Sequence, residues 1–271
     1  MDLADSAAAA VAAAEPREAG REQPFMAQEE LLQQFVTLAK NAAGPNLESV
    51  VLYGSTVRGD AQPPFSDVNL LLIVRSAART ELEKLAALVQ WWSQGQKQRS
   101  PLVFTARELR ESADVFAVEL LDMQRAHRVL YGTEIIADIP VPMNLHRVQV
   151  EHELRTVIQK LRQHYLHGPS EQTALRTVLA KSFSSVATLL RHTLIAMEHE
   201  PAADRRELLH QVKKLLQVDT TGLQAVMELR GAGDPLGSVS SIYGKYLEAL
   251  ETITVQLDQW LPKREWQRVK K

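Results

Sequence analysis

The chain has 271 residues, enough for two modest domains, and its 45% hydrophobic and 24% charged content is ordinary for a globular protein. A formal net charge of −2 provides no global attraction to nucleic acid or an anionic membrane, and no basic aromatic stripe is present. The lack of cysteine excludes disulfides, thiolate zinc sites and a cysteine nucleophile, and it fits a reducing cytoplasm. No apolar run approaches the ~20 residues of a membrane-spanning helix. We therefore expect a cytoplasmic protein that binds neither membranes nor nucleic acid.

The N-terminal region separates by composition into a leader and a first domain. Residues 1–25 are rich in alanine and poor in large apolar groups, so they are predicted to be a disordered leader or at most a frayed helix. Residues 26–142 alternate between helical and strand patterns. The elements predicted there are a helix over 28–43, strands over LESVVLYG and DVNLLLIV, a helix over RTELEKLAALVQWWSQG, a strand over PLVFT, a short helix over ARELRES and a strand over VFAVELLDM.

The second half of the chain has a different pattern. After IPVPMN, residues 143–262 show only helical periodicity, in four or five segments that are broken at HGPS, EPAAD and GAGDPLG. This predicts an all-α helical bundle domain, and residues 263–271 form a basic, solvated tail. The predicted fold class is α+β: a small mixed-sheet domain followed by the helical bundle.

A Gly-Ser turn ends the first predicted strand, and an Asp-x-Asn sequence begins the second. Gly54 ends the first strand and Ser55 stands where a helix would begin, an arrangement that suits phosphate oxygens. Asp67 and Asn69 are two positions apart at the start of the second strand, so their side chains point to the same face. Turn and side chains together predict a pocket for a magnesium ion and a polyphosphate.

This pattern resembles the signature of the polymerase-β-like nucleotidyltransferase superfamily, which usually has a second aspartate at the position of Asn69. The helical second domain is similar to that of kanamycin and streptomycin nucleotidyltransferase-like proteins, and SADVFAVELLDMQRAHRVLYG resembles a stretch of bacterial nucleotidyltransferase-domain proteins of unassigned substrate. The resemblance implies a minimal nucleotidyltransferase core over about residues 28–140. It also implies transfer of a nucleoside monophosphate from an NTP, with Mg²⁺ or Mn²⁺. By this resemblance Gly54 and Ser55 would hold the triphosphate, while Asp67 and Asn69 would bind the metal.

The expected third carboxylate is missing from the next predicted strand, because PLVFT contains no acid. If VFAVELLDM is the matching strand, Glu119 can supply that carboxylate, and Asp122 would then point to the opposite face. Otherwise Glu119 is a surface or interface acid. The predicted catalytic residues are Asp67, Asn69 and Glu119.

For several other polar residues the sequence allows two roles. Arg58 either contacts the triphosphate or pairs with a neighbouring acid. Glu151 and Glu153 either face a cationic acceptor across the cleft between the domains or belong to a solvated helix face. His127 either lines the site or packs near the end of the sheet.

Three functions remain open from the sequence. The first is nucleotidyl transfer, slow because Asn69 removes a charge, to a small-molecule or protein acceptor. The second is a catalytically degenerate module that binds a nucleotide or a protein partner. The third is a homodimer held by the helical domain, resembling antitoxin-type nucleotidyltransferases.

Overall fold

A computed structural model describes residues 19–59, 68–168, 171–230 and 238–260, with the side chains of the first helix from Gln28 onward. In this part of the chain the helices are α1 (Ala19–Ala43), α2 (Ser55–Arg58), α3 (Arg79–Gln90), α4 (Ala106–Glu111), α5 (Ala117–Arg125), α6 (His146–His167), α7 (Gln172–Ala196), α8 (Arg205–Leu216), α9 (Thr221–Glu228) and α10 (Val239–Gln259). The strands are β1 (Leu47–Tyr53), β2 (Asn69–Val74), β3 (Leu102–Thr105) and β4 (His127–Gly132). The fold class is α+β, as predicted.

The four strands form one mixed sheet in the order β3-β2-β1-β4. Strand β1 is antiparallel to β2 and β4, whereas β2 is parallel to β3. Alternate residues of β2 pack on opposite faces: Leu70 and Leu72 belong to the core beneath α1 and α3, while Leu71 and Ile73 belong to the core beneath α4 and α5. Burial on both faces explains why this strand is a continuous apolar run.

Helix α1 begins at Ala19, inside the stretch that was predicted to be a leader. Its described inner face carries Leu32, Phe35 and Ala39, all buried, and Phe35 meets Trp92 edge to face with ring centroids 4.9 Å apart. Residues 1–18, and with them most of the predicted leader, lie outside the described residues. The predicted basic tail, 263–271, lies outside them too.

Helices α6 to α10 form the predicted bundle around a second core. Helix α10 packs against α6, α7 and α9, and α7 also packs against α6, α8 and α9. The largest fully buried side chains of this core are Phe183 and Tyr246, whose hydroxyl lies 3.0 Å from the Ser182 hydroxyl. Within the described ranges, none of the helices combines the length and apolar character that crossing a bilayer would require.

The strand predicted over VFAVELLDM is wrong, because residues 117–125 form helix α5 and the fourth strand is β4. The apolar positions of this segment fit a helix as well as a strand. Packing decides between them: Val118 enters the core of the bundle, whereas Leu120 and Met123 enter the core beneath the sheet. Val118 and Leu120 are two positions apart, so they would share one face of a strand, whereas a helix places them on different sides and lets them enter separate cores.

Polar contacts also join the two parts of the molecule. The side-chain amide of Gln149 on α6 donates to the carbonyls of Asp114 and Val115, at 2.5 and 2.8 Å. Arg125 at the end of α5 makes two hydrogen bonds to Glu200, at 2.7 and 3.2 Å. Together with the burial of Val118, these contacts fix α5 between the sheet and the bundle.

A buried histidine pair, His146 and His192, links α6 to α7. The His146 Nε2 and His192 Nδ1 atoms are 2.9 Å apart, and both residues are 1% exposed. Burial lowers the pKa of His146 to about 4. Burial lowers the pKa of His192 to about 3, and electrostatic repulsion from His146 adds to this effect. The positive charges of Arg125, Arg191 and Arg58 lower it further.

The histidine pair predicts an acid-sensitive stability. Between about pH 6.5 and pH 4 the unfolded chain gains protons that the folded pair cannot accept, so the free energy of unfolding falls as the pH falls. Each histidine contributes a slope of up to about 1.4 kcal/mol per pH unit. Urea unfolding of the natural chain and a His146→Gln/His192→Gln variant across this range should give a flatter curve for the variant.

Replacement of the exposed His210 on α8 by glutamine is the matched control and should leave the slope unchanged. Equal slopes in the natural chain and the double variant would contradict the assignment of this acid sensitivity to the buried pair.

Candidate active-site cleft

The Gly-Ser turn lies directly against Asn69. Gly54 has φ +84° and ψ −148°, a conformation that favours glycine, and its N–H donates to the carbonyl of Ala126 at 3.0 Å. Helix α2 begins at Ser55, as predicted. A Cβ placed on Gly54 would be only 3.2 Å from Nδ2 of Asn69, whose backbone pairs with Tyr53 across β1 and β2. The structure therefore brings the turn and the second motif position together.

Asp67, the predicted partner of Asn69, lies outside the described residues. The first described residue of this segment is Val68, which is 8% exposed and whose N–H donates to Oε1 of Gln98 at 3.1 Å. The position of Asp67 relative to the Gly-Ser turn stays a prediction from the Asp-x-Asn spacing.

Glu119 lies on helix α5, which corrects its predicted place on a strand. Because Glu119 and Asp122 are three residues apart on a helix, they share one side of it instead of pointing to opposite faces. Both line a cleft of about 620 Å³ between the sheet and the bundle, together with Tyr53 and Asn69. The strand prediction was wrong, but the structure does bring Glu119 and Asn69 to one cleft.

The cleft has three walls. The sheet side contributes Tyr53, Asn69, Arg99, Leu102 and Phe104. Helices α4 and α5 and the segment that joins them contribute Leu109, Ser112, Phe116, Val118, Glu119, Leu120, Asp122 and Met123. The bundle contributes Glu153, Val157 and Lys160 from α6 and Ser185, Thr188 and Leu189 from α7. Charged groups of both signs thus line the cleft together with apolar and aromatic side chains, as in many small-molecule sites.

Acidic groups are concentrated on one side of the cleft. Glu119 is exposed to solvent, yet the surrounding protein partly desolvates it and raises the pKa of its carboxyl. A hydrogen bond from its own backbone N–H opposes this rise, while the negative charges of Glu153 and Asp122 add to it. Burial also raises the pKa of Tyr53; Arg99 opposes this effect, whereas Glu119 and Asp122 reinforce it. Proximity of like charges favours a proton or a cation at this wall.

Arg58 pairs with Asp122, which is the second of its two predicted roles. The Nη1 atom of Arg58 lies 3.0 and 3.1 Å from the two carboxylate oxygens, and the side chains are 15% and 16% exposed. The pair connects the helix of the Gly-Ser turn to α5 and offsets the charge of Asp122. Contact between Arg58 and a triphosphate stays a prediction.

The two glutamates of α6 that were candidates for acceptor binding have different surroundings. Glu153 lines the cleft, as one of its two predicted roles requires. Glu151 is held between Arg147 and Arg155, at 3.2 and 2.8 Å. His127 is held near the end of the sheet by two polar contacts: Nδ1 lies 2.9 Å from the Met123 carbonyl and Nε2 lies 2.8 Å from Oε2 of Glu134.

Two cationic residues line the cleft but were not predicted as site residues from the sequence: Arg99 and Lys160. Lys160 lies seven positions after Glu153 on α6, a spacing that places both on one helix face. That signal was available, but nothing in the sequence indicated that this face borders the site. Arg99 lies in a connection without any motif, and only its tertiary contacts bring it to the cleft.

The Arg58–Asp122 pair predicts a measurable coupling between the turn and α5. A double-mutant cycle with Arg58→Ala and Asp122→Ala, followed by urea unfolding, should give a coupling free energy of roughly 1–3 kcal/mol, because both partners are mostly buried. The Arg107–Glu111 pair is the matched control: its side chains are 83% and 60% exposed, and it should show no measurable coupling. Equal coupling in both pairs would contradict a role for Arg58 in fixing α5.

Comparison with known proteins adds little to this site. No protein-family model matches the chain, and no curated protein matches it. Among solved structures, the chain is similar to a spectinomycin adenyltransferase from Enterococcus faecialis determined with ATP and spectinomycin. The TM-score is 0.45 and the sequence identity 14%, over 84% of this chain and 99% of the other.

Proposed function

We propose that this protein transfers a nucleoside monophosphate from an NTP to an acceptor bound in the cleft. The observation that carries the proposal is that Asn69 and Glu119 line one cleft between the sheet and the bundle, and that Gly54 of the Gly-Ser turn lies directly against Asn69. These are groups to which the resemblance assigns triphosphate binding, metal binding and proton transfer. Gly54, Ser55 and Arg58 are the proposed nucleotide-binding residues.

In the proposed reaction a nucleophilic atom of the acceptor attacks the α-phosphorus of the NTP. The new bond to phosphorus forms as the bond from the α-phosphorus to the bridging oxygen breaks, and pyrophosphate leaves. Glu119 accepts the proton of the acceptor. A carboxyl with a raised pKa is a suitable general base, because its proton affinity is closer to that needed near neutral pH.

Magnesium or manganese is part of the proposal through Asp67 and Asn69. Within the described residues there is no group of three or more His, Asp or Glu side chains that could hold a metal ion, and Asn69 offers only a neutral oxygen. The described part of the cleft therefore does not by itself form the expected metal site. A bound divalent ion would offset the charge of the phosphates.

The proposed acceptor carries a positive charge. Glu119 and Glu153 face the cleft from α5 and α6, and neither forms an ion pair within the described residues. Phe104 and Phe116 lie beside them, with ring centroids 5.9 Å apart, and offer apolar surface. A cationic small molecule with an apolar part, or a cationic protein side chain, fits this wall.

A catalytically degenerate nucleotide-binding module is the second candidate. It is favoured by the neutral Asn69 and by the sequence LVFT of β3, which supplies no carboxylate at the cleft. Transfer of a phosphoryl-type group depends mainly on positioning and on charge stabilisation, so a site with fewer charged ligands can bind without turnover.

Pyrophosphate release from each labelled NTP, with magnesium or manganese, distinguishes the two candidates. We expect slow release from the natural chain, loss with Asp67→Ala, and a decrease of about 100-fold or more with Glu119→Gln, because a general base contributes roughly 10²–10⁴-fold. Asn69→Asp should increase the rate by restoring a charged ligand. Glu83→Gln on α3, which alters an exposed acid outside the cleft, is the control and should have no effect.

Release that neither Asp67→Ala nor Glu119→Gln changes would contradict the proposed site. Tight nucleotide binding without release, in both the natural chain and Asn69→Asp, would favour the degenerate module.

A further inference from the structure

The segment that carries Arg99 is anchored at the start of β2. Gln98 accepts a hydrogen bond from the N–H of Val68, the residue before Asn69, at 3.1 Å. The carbonyl of Arg99 itself accepts a hydrogen bond from the indole of Trp92, which is fully buried, at 2.9 Å. Two neighbouring residues are therefore fixed to the core and to the strand that presents Asn69. These two contacts hold the backbone of Arg99 beside the candidate site.

The positive charge of Arg99 is not neutralised by an acid among the described residues. Within the described residues its guanidinium has neither a hydrogen bond nor an ion pair, whereas Arg58 is paired with Asp122 in the same region. Arg99 lines the cleft together with Asn69 and Tyr53, the residues that face each other across β1 and β2. Its charge acts at this end of the cleft, as the opposing influence on the pKa of Tyr53 also indicates.

A neutral Asn69 and a positive Arg99 in one cleft are the opposite of the anionic surroundings that two metal ions require. Two divalent cations about 3.5–4 Å apart need anionic ligands to offset their mutual repulsion. Here the second motif position is the neutral Asn69, and the positively charged Arg99 lines the same cleft. A second dication would lose one negative ligand and would be repelled by Arg99.

A guanidinium can supply part of what a second cation would supply. It is charged at all relevant pH values and offers several N–H donors in a plane that matches two phosphate oxygens. Asn69 is compatible with such a neighbour, since an aspartate at that position would attract the guanidinium and compete with the phosphate for it.

We propose that Arg99 binds the phosphate oxygens of the NTP in place of a second divalent cation, and that Asn69 is the neutral residue that leaves its guanidinium available. The inference deepens the proposed function and rests on it. It assigns a phosphate-binding role to a residue outside the Gly-Ser and Asp-x-Asn motifs, and it predicts that polyphosphate binding depends less on metal than in a site with two carboxylates.

Calorimetric titration with each of the four NTPs, in EDTA and in magnesium, tests this. The natural chain should bind its preferred NTP in EDTA with an affinity within about tenfold of that in magnesium. Arg99→Ala should weaken binding by roughly 10–100-fold in both buffers, the effect of one to two charge-assisted hydrogen bonds, and Arg99→Lys should retain part of the affinity. Asn69→Asp should bind poorly in EDTA and recover in magnesium.

Arg79→Ala, at an exposed arginine of α3, is the matched control and should bind like the natural chain. Circular dichroism of each variant verifies the fold. Binding in magnesium that Arg99→Ala leaves unchanged, or loss of all binding by the natural chain in EDTA, would overturn the role of Arg99 and leave the proposed function standing. No NTP binding by the natural chain in either buffer would overturn both.

Discussion

Helix α5 packs between two hydrophobic cores, and the arrangement of the cleft depends on this constraint. Val118 is buried in the helical bundle and Leu120 in the core beneath the sheet, so the helix cannot rotate without exposing one of them. With that rotation fixed, Glu119 and Asp122 face the space between sheet and bundle. The same helix meets the Gly-Ser turn through the Arg58–Asp122 ion pair. Packing that stabilises the fold thus also determines where the acids of the cleft lie.

The cleft contains charged groups of both signs. Glu119 and Glu153 form an acidic wall where α5 and α6 meet, which suits a cationic acceptor. Arg99 lines the same cleft with Asn69, and its positive charge suits the phosphates of a nucleotide. Arg99, Glu119 and Asp122 all influence the pKa of Tyr53, so groups of both signs act on the same part of the cleft. A neutral side chain at position 69 leaves the charge of Arg99 available to phosphates.

Sequence patterns predicted most of this fold because the apolar runs of β1, β2 and β3 are short and bounded by residues that break structure. They failed at α5, where apolar residues are so dense that both the helical and the strand period fit. Strand β4 was missed because it is only partly buried and lacks a clear apolar run. The proximity of Gly54 to Asn69 was predicted from the spacing between the Gly-Ser turn and the Asp-x-Asn sequence. The position of Arg99 could not be predicted, since it depends on the contacts of Trp92 and Gln98 within the folded chain.

The proposed function requires that one cleft between sheet and bundle receives the nucleotide. A crystal structure of the chain with a non-hydrolysable NTP analogue is the decisive measurement. We expect phosphates between the Gly54–Ser55 turn and Arg99, beside Asn69, with the α-phosphorus within reach of an acceptor near Glu119. A nucleotide bound elsewhere on the molecule, or phosphates directed away from the turn and from Arg99, would contradict it.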